Sequence, residues 1–147
     1  MRMKSALMVL MATAFYLSTA EANATEGIPE IRLDMRPPQD TFLRDGTVIG
    51  HGWLAFQEVH TGYQVWLDAS RSSAAPGRYV LVGKRNSAHQ LRIRLAGEGW
   101  ESENEGEGGI VSATTDERTR FDIVIDGHQD VAADEYVITA SAAAIVP

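Results

Sequence analysis

Apolar and polar residues alternate one for one along much of this chain, the spacing of strands that keep one face in a core. Ile31, Leu33 and Met35 alternate with Arg32, Asp34 and Arg36 until Pro37-Pro38 stops the run. Arg44-Asp45-Gly46 is a turn signal. Two further runs, 52–59 (with Trp53, Leu54 and Phe56) and 63–67, flank His60-Thr61-Gly62, which reads as a compact hairpin connection. Residues 79–82 form a short apolar run suited to burial on both sides. Leu91, Ile93 and Leu95 alternate with arginines, and Phe121, Ile123 and Ile125 repeat the pattern. No amphipathic helix stands out. About seven short strands with frequent turns predict an all-β sandwich or barrel.

The last run sharpens this. Tyr136, Ile138, Ala140, Ala142, Ala144 and Val146 are all apolar, while the odd positions include Thr139 and Ser141. Tyr136 opens the run after the Asp/Ala-rich segment 130–135, where immunoglobulin-like sandwiches carry a corner tyrosine; an ordinary aromatic strand starter is the plainer alternative. A core strand with no strand after it to shield its edge is a liability that proteins manage explicitly. Two connections look long and exposed: Ser/Ala-rich 70–77, read as mobile, and 97–109, which carries five glutamates.

The N-terminus reads as a processing signal: Arg2 and Lys4, a short apolar stretch over 6–17, and Ala22-Asn23-Ala24 as a small-residue cleavage site. Residues 1–24 are therefore expected to be a signal peptide, and residues 25–147 one exported domain with a single core. The formal net charge is −7 and becomes one unit more negative once Arg2, Lys4 and Glu21 leave with that segment. Such a domain repels phosphate backbones, which argues against nucleic acid. Cysteine is absent, so a core or a partner must hold the fold, and thiol chemistry is excluded.

Candidate chemistry is sparse. The glutamates of 97–109 suit a hard cation, but their spacing matches no EF-hand and a solvated loop explains them equally. Asp126-Gly127-His128-Gln129-Asp130 is first a turn. His51, His60, His89 and His128 lie on separate elements, without triad-like or metal-ligand spacing. No nucleophile elbow or phosphate cradle occurs, and paired carboxylates remain open only in the sense that separation in space decides them. The expectation is no catalytic residue, no metal and no cofactor. Trp66 presents a choice: facing inward, it takes Gln64 and Asp68 with it; with Val65 and Leu67 inward, it stays partly exposed. Trp100 either anchors the acidic loop or serves as a ligand contact.

From His60-Thr61-Gly62-Tyr63-Gln64-Val65-Trp66 onward the chain resembles the invasin-type D subunits of the Afa/Dr fimbriae and their Saf-type relatives. The likeness continues through Leu91-Arg92-Ile93-Arg94, Gly97-Glu98-Gly99-Trp100, Gly106-Glu107-Gly108-Gly109 and Phe121-Asp122-Ile123. It ends with Asp126-Gly127-His128-Gln129-Asp130, Glu135-Tyr136 and Ile145-Val146-Pro147, and Leu43-Arg44-Asp45-Gly46 fits near the start. It implies an incomplete immunoglobulin-like β-sandwich, without enzymatic activity, completed by a donor strand in trans through β-augmentation. It also implies the partners: a periplasmic chaperone, an outer-membrane usher, a major pilin subunit donating a strand, and a host-cell surface receptor. The subunit would be exported through the periplasm to the fimbrial tip or cell surface and serve attachment and invasion.

The donor-strand groove is expected between Ile31, Leu33 and Met35 on one side and Ile138, Ala140, Ala142 and Val146 on the other, the alanines leaving room for donor side chains. They would equally suit tight packing against a complete sheet. Residues 25–30 are too short and polar to serve as a donor themselves, since pairing along a strand takes on the order of ten residues; the subunit is thus expected to accept a strand and give none, at a terminal position. Relatives carry a cysteine pair where this chain has Phe56 and Ala144, which implies greater dependence on the donor. Two rivals stand beside this reading: a self-complete secreted sandwich binding carbohydrate or protein through its loops, and a periplasmic hydrolase, to which no residue pattern points.

Overall fold

The computed structural model describes the backbone of residues 2–11 and 17–21, and residues 28–72 and 76–147 in full. Among the described residues every regular element is a strand: β1 (Arg2–Met11), β2 (Leu17–Glu21), β3 (Glu30–Met35), β4 (Phe42–Leu43), β5 (Val48–Ala55), β6 (Gly62–Leu67) and β7 (Ser70–Arg71). They continue as β8 (Arg78–Val82), β9 (Gln90–Ala96), β10 (Trp100–Ser102), β11 (Ile110–Ser112), β12 (Arg118–Ile125), β13 (Gln129–Asp130) and β14 (Glu135–Ile145). Two six-stranded sheets face each other, ordered β10-β11-β6-β14-β1-β2 and β3-β5-β12-β9-β8-β7, with β4 and β13 bridging outside them. This is the predicted all-β immunoglobulin-like sandwich.

Alternation builds the core. β3 buries Ile31, Leu33 and Met35 and exposes Glu30, Arg32 and Asp34. β9 buries Leu91, Ile93 and Leu95, and β14 buries Tyr136, Ile138, Ala140, Ala142 and Ala144, so the two sheets meet across these rows. The register between β12 and β5 shifts at Ile123/Val124, and Ile123, Val124 and Ile125 are buried in succession at that irregularity. Gly52 sits where the Phe121 ring crosses β5: an added Cβ would come within 2.0 Å of the ring.

Three expectations are corrected. The segment 56–61 is not a hairpin connection, because β5 and β6 lie in different sheets. It is a corner between layers, clamped by His60, whose Nδ1 lies 2.7 Å from the Glu58 carbonyl oxygen and Nε2 2.8 Å from that of Asp116. Residues 79–82 are buried on one face only, with Tyr79 and Leu81 inward and Val82 exposed, because only one face of this sheet meets the core, as the alternating burial of β3 and β9 also shows. The acidic segment 97–109 is a surface connection only in part: Trp100–Ser102 pairs as β10 with β11, residues 103–109 form the turn of that hairpin, and β11 pairs with β6. Gly109 (φ 78°) makes that docking feasible, since a Cβ there would meet the Val65 carbonyl oxygen at 1.9 Å. In the other connection, residues 73–75 lie outside the described residues, and Ser72 N–H donates to the Arg78 carbonyl across its base.

The corner tyrosine is present. Tyr136 O–H donates to the Ala132 carbonyl at 2.7 Å, and burial, then the charge of Asp134, pushes its phenol up. Beside it, Asp134 is buried and accepts from the N–H groups of Arg85, Asn86 and Glu135, with His89 Nδ1 at 2.9 Å. Burial acts to raise this carboxyl, but the Arg85 N–H, the His89 ring and the Glu135 and Asn86 N–H groups together hold it at about 2. The clamp ties the turn between β8 and β9 to the start of β14.

Two outcomes are expected. A depressed carboxyl contributes stability that is present above its ordinary 3.8 and is lost as pH falls toward about 2. Urea midpoints of the strand-completed subunit should therefore fall over that interval, and the fall should be shallower in Asp134→Asn; equal slopes would refute the clamp. Tyr136→Phe should lower stability by about 1 kcal/mol, the net worth of one hydrogen bond, in chemical denaturation.

Candidate functional site

The seam between β3 and β14 gathers most of the residues expected to form a groove. Ile31, Leu33 and Met35 come from β3 in one sheet, and Ile138, Ala140 and Ala142 from β14 in the other; all are buried. Val146 does not join them: β14 ends at Ile145, and Val146 is 45% exposed beyond it.

β14 carries a backbone partner on each side. Toward the sheet interior it pairs antiparallel with β6, from Ala140↔Leu67 to Ile145↔Gly62. Toward the seam it pairs antiparallel with β1, from Arg2↔Ala144 to Met11↔Glu135. Positions 4, 6 and 8 of β1 stand opposite Ala142, Ala140 and Ile138. β2 then borders β1 on its far side. The strand that closes the seam thus belongs to the segment 1–24. Of residues 25–30, positions 25–27 lie outside the described residues, and Glu30 begins β3.

Away from the seam, each remaining candidate has a local role. Trp100 is anchored: its Nε1–H donates to the Arg120 carbonyl at 2.8 Å, and its ring meets Phe121 edge-on at 6.0 Å. Of its two readings, the geometry describes the anchor. Val65 and Leu67 point inward with Tyr63, and Trp66 lies on the outer face, covered to 7% exposure. Beside it, the Gly108 carbonyl of the β10–β11 hairpin accepts from Gln64 Nε2 at 2.7 Å, and its Glu107 carbonyl accepts from Arg71. Phe56 and Ala144 are both buried; the Phe56, His60 and Tyr63 rings form a chain at 5.5 and 4.7 Å, and Ala144 stands opposite Tyr63 in the ladder. Tyr63 O–H donates to the Asp116 and Glu117 carbonyls, and burial, then those two charges, push its phenol up to about 12.

The four histidines never converge. His51 lies 2.7 Å from Asp122, His60 clamps the corner, His89 meets Asp134, and His128 Nδ1 accepts from Asp45 N–H. Asp45 itself is held low, first by the Gly127 N–H and then by Arg94. Among the described residues no three His, Asp or Glu side chains gather as for a metal ion. Sequence reasoning missed the Asp134 clamp, whose backbone donors Arg85 and Asn86 lie 49 and 48 residues away.

Residues 39–142 match the family model described as Enterobacteria AfaD invasin protein. The chain is 35% identical over 119 residues to the protein AfaD of Escherichia coli, spanning 80% of each. In three dimensions it is similar to the minor tip subunit HdaB of the E. coli Hda pilus, with a TM-score of 0.76 and 27% identity over 81% of this chain and 84% of that one. The SafD adhesin of Salmonella gives a TM-score of 0.74 and 28% identity, over 80% and 84% of the two chains. The resemblance drawn from the motifs is thus borne out.

Proposed function

The chain belongs to the AfaD invasin family, and from that premise we propose that it works as a strand-accepting adhesive subunit, closed by a polypeptide that it does not keep. It is a fimbrial subunit of the chaperone–usher class, an adhesin or invasin carried to the cell surface.

One observation carries the strand-accepting reading: the seam beside β14 is filled by residues 2–11, inside the segment expected to be removed as the export signal. Without that segment, β14 keeps β6 on one side and offers a row of unpaired N–H and C=O groups on the other. Ile31, Leu33 and Met35 then face the same opening as Ile138, Ala140 and Ala142. Open backbone and apolar surface together are what an added strand satisfies: hydrogen bonds supply affinity, and alternate side chains supply register. We infer that the chaperone covers this seam during export, that the usher passes the subunit on, and that a neighbouring pilin's extension, running antiparallel to β14 as β1 does, replaces the chaperone. The short polar stretch 25–30 supports a terminal position, because it offers nothing to a further subunit. Attachment to a host receptor is then the subunit's own task, and no catalysis is assigned.

Residues 25–147 purified alone, and with a synthetic peptide of residues 2–11, test the assembly. Alone they should aggregate or exchange strands; with the peptide they should run as a monomer, stabilised by roughly 2.7 kcal/mol at a hundredfold excess over Kd. A stable monomer that ignores the peptide would overturn the reading. Ala140→Leu or Ala142→Leu overpacks the groove at a cost of about 1–3 kcal/mol, which should weaken peptide capture by roughly tenfold or more in a fluorescence titration.

A further inference from the structure

His60 is a buried titratable side chain that the seam and its closing strand do not employ. It sits in the corner 56–61, where the chain leaves β5 for β6 in the other sheet, and is 4% exposed. Its Nδ1 stands 2.7 Å from the Glu58 carbonyl oxygen and its Nε2 2.8 Å from that of Asp116. Both neighbours are backbone carbonyls, which accept and never donate. A neutral imidazole carries one N–H, so it satisfies one carbonyl and turns the lone pair of its other nitrogen on the second. At hydrogen-bonding separation, two facing lone pairs repel. Only a ring protonated on both nitrogens donates at both ends.

The surroundings of the ring suit that cation. Glu58 belongs to the corner itself, and Asp116 and Glu117 come from the segment leading into β12, followed by Arg118. The charges of Asp116 and Glu117 also act on the Tyr63 phenol, whose ring lies 4.7 Å from the imidazole, so their field reaches the corner. Phe56 lies 5.5 Å away, and both aromatic centroids fall within the range over which a ring quadrupole attracts a cation. β14 reaches the corner through the Ile145 carbonyl, which accepts from Thr61 N–H at 2.8 Å. A buried charge is costly when unpaired, and far less so when it is hydrogen-bonded at both ends beside carboxylates.

We propose that His60 is a buried imidazolium, and that its second proton makes this corner a pH-sensitive latch, tight in mildly acid medium and looser in alkaline. The other histidines are bonded differently. His128 Nδ1 accepts from Asp45 N–H, and His51 and His89 each face a carboxylate, on Asp122 and Asp134. The bond made by the second proton is present below about pH 6.5, where histidine ordinarily gives up its charge, and is lost as pH rises above it. The Asp134 clamp responds in the opposite sense, but only between 3.8 and about 2, so the two ranges do not overlap. The latch lies at one end of the strand that borders the seam, because Thr61 is bonded to Ile145 and Tyr63 stands opposite Ala144. It does not depend on which polypeptide fills that seam.

The isotopically labelled, strand-completed subunit is followed by two-bond proton–nitrogen correlation of its histidine rings between about pH 5 and about pH 8. The His60 signals are assigned by their loss in His60→Gln or, if that variant does not fold, by replacing the other three histidines in turn. At the acid end both His60 nitrogens should carry a proton, and toward the alkaline end one should lose it. A single neutral tautomer at every pH would overturn the proposal. In urea, moving from about pH 8 to about pH 5.5 should lower the unfolding equilibrium constant of the parent roughly tenfold more than that of His60→Gln. The comparison cancels what His51, His89 and His128 contribute, and equal responses of the two proteins would count against the latch. Asp116→Asn combined with Glu117→Gln, both exposed side chains, should lower the pH at which the second proton leaves. An unchanged pH would contradict the role given to those charges. Peptide capture by the seam is read on the same samples, so failure of the latch and failure of strand acceptance are told apart.

Discussion

Everything in this fold turns on the backbone ladder along β14. Its interior side is satisfied by β6, and its other side is satisfied only because β1 lies there. Backbone N–H and C=O groups left without partners in an apolar setting are costly, so a central strand with one open side is not a resting state for a sandwich. The alanine row explains why a strand rather than a loop fits the opening: small side chains at Ala140 and Ala142 bring the neighbouring backbone close and leave volume for what it carries. β3 supplies the opposing wall from the other sheet, so closing the ladder and closing the core are one event.

Where one face of a strand was buried and the other wet, the pattern was legible. β3, β9 and β14 could be read from alternation, and the corner tyrosine from its place before the final run. Six of the seven residues expected to line a groove are buried on β3 and β14 for the same reason, while the alternation in sequence runs on to Val146, past Ile145, where the strand stops. Illegible features share a different cause. Which sheet receives the chain after Phe56 is not written in local spacing, since a corner and a hairpin can have the same length. Segment 97–109 looked like a solvated loop because its glutamates face water and its glycines carry no side chain, yet glycine is what lets the backbone approach β6. Asp134 looked like an ordinary turn residue because its partners come from a distant turn.

Charge is distributed with similar economy. The chain is acidic overall, yet its arginines concentrate on the strands of one sheet, where Arg78 and Arg94 converge on Asp126 and a further aspartate, Asp45, completes the cluster. Exposed pairs of this kind add little to stability individually. Their geometric effect is larger: they fix the turns at 44–46 and 126–128 against β9, as the Asp45 contacts to Gly127 and His128 show.

The position of β14 in the sheet has a consequence for biogenesis. The strand furthest along the chain is also the one inserted between β6 and the seam, so neither neighbour can be zipped into place until nearly the whole polypeptide has emerged. Contacts that join distant parts of a chain are slow to form, because ring closure is entropically costly before any reward arrives. In a polypeptide threaded in this order the two sheets are completed late, since the pairings that close the first of them wait for its final strand.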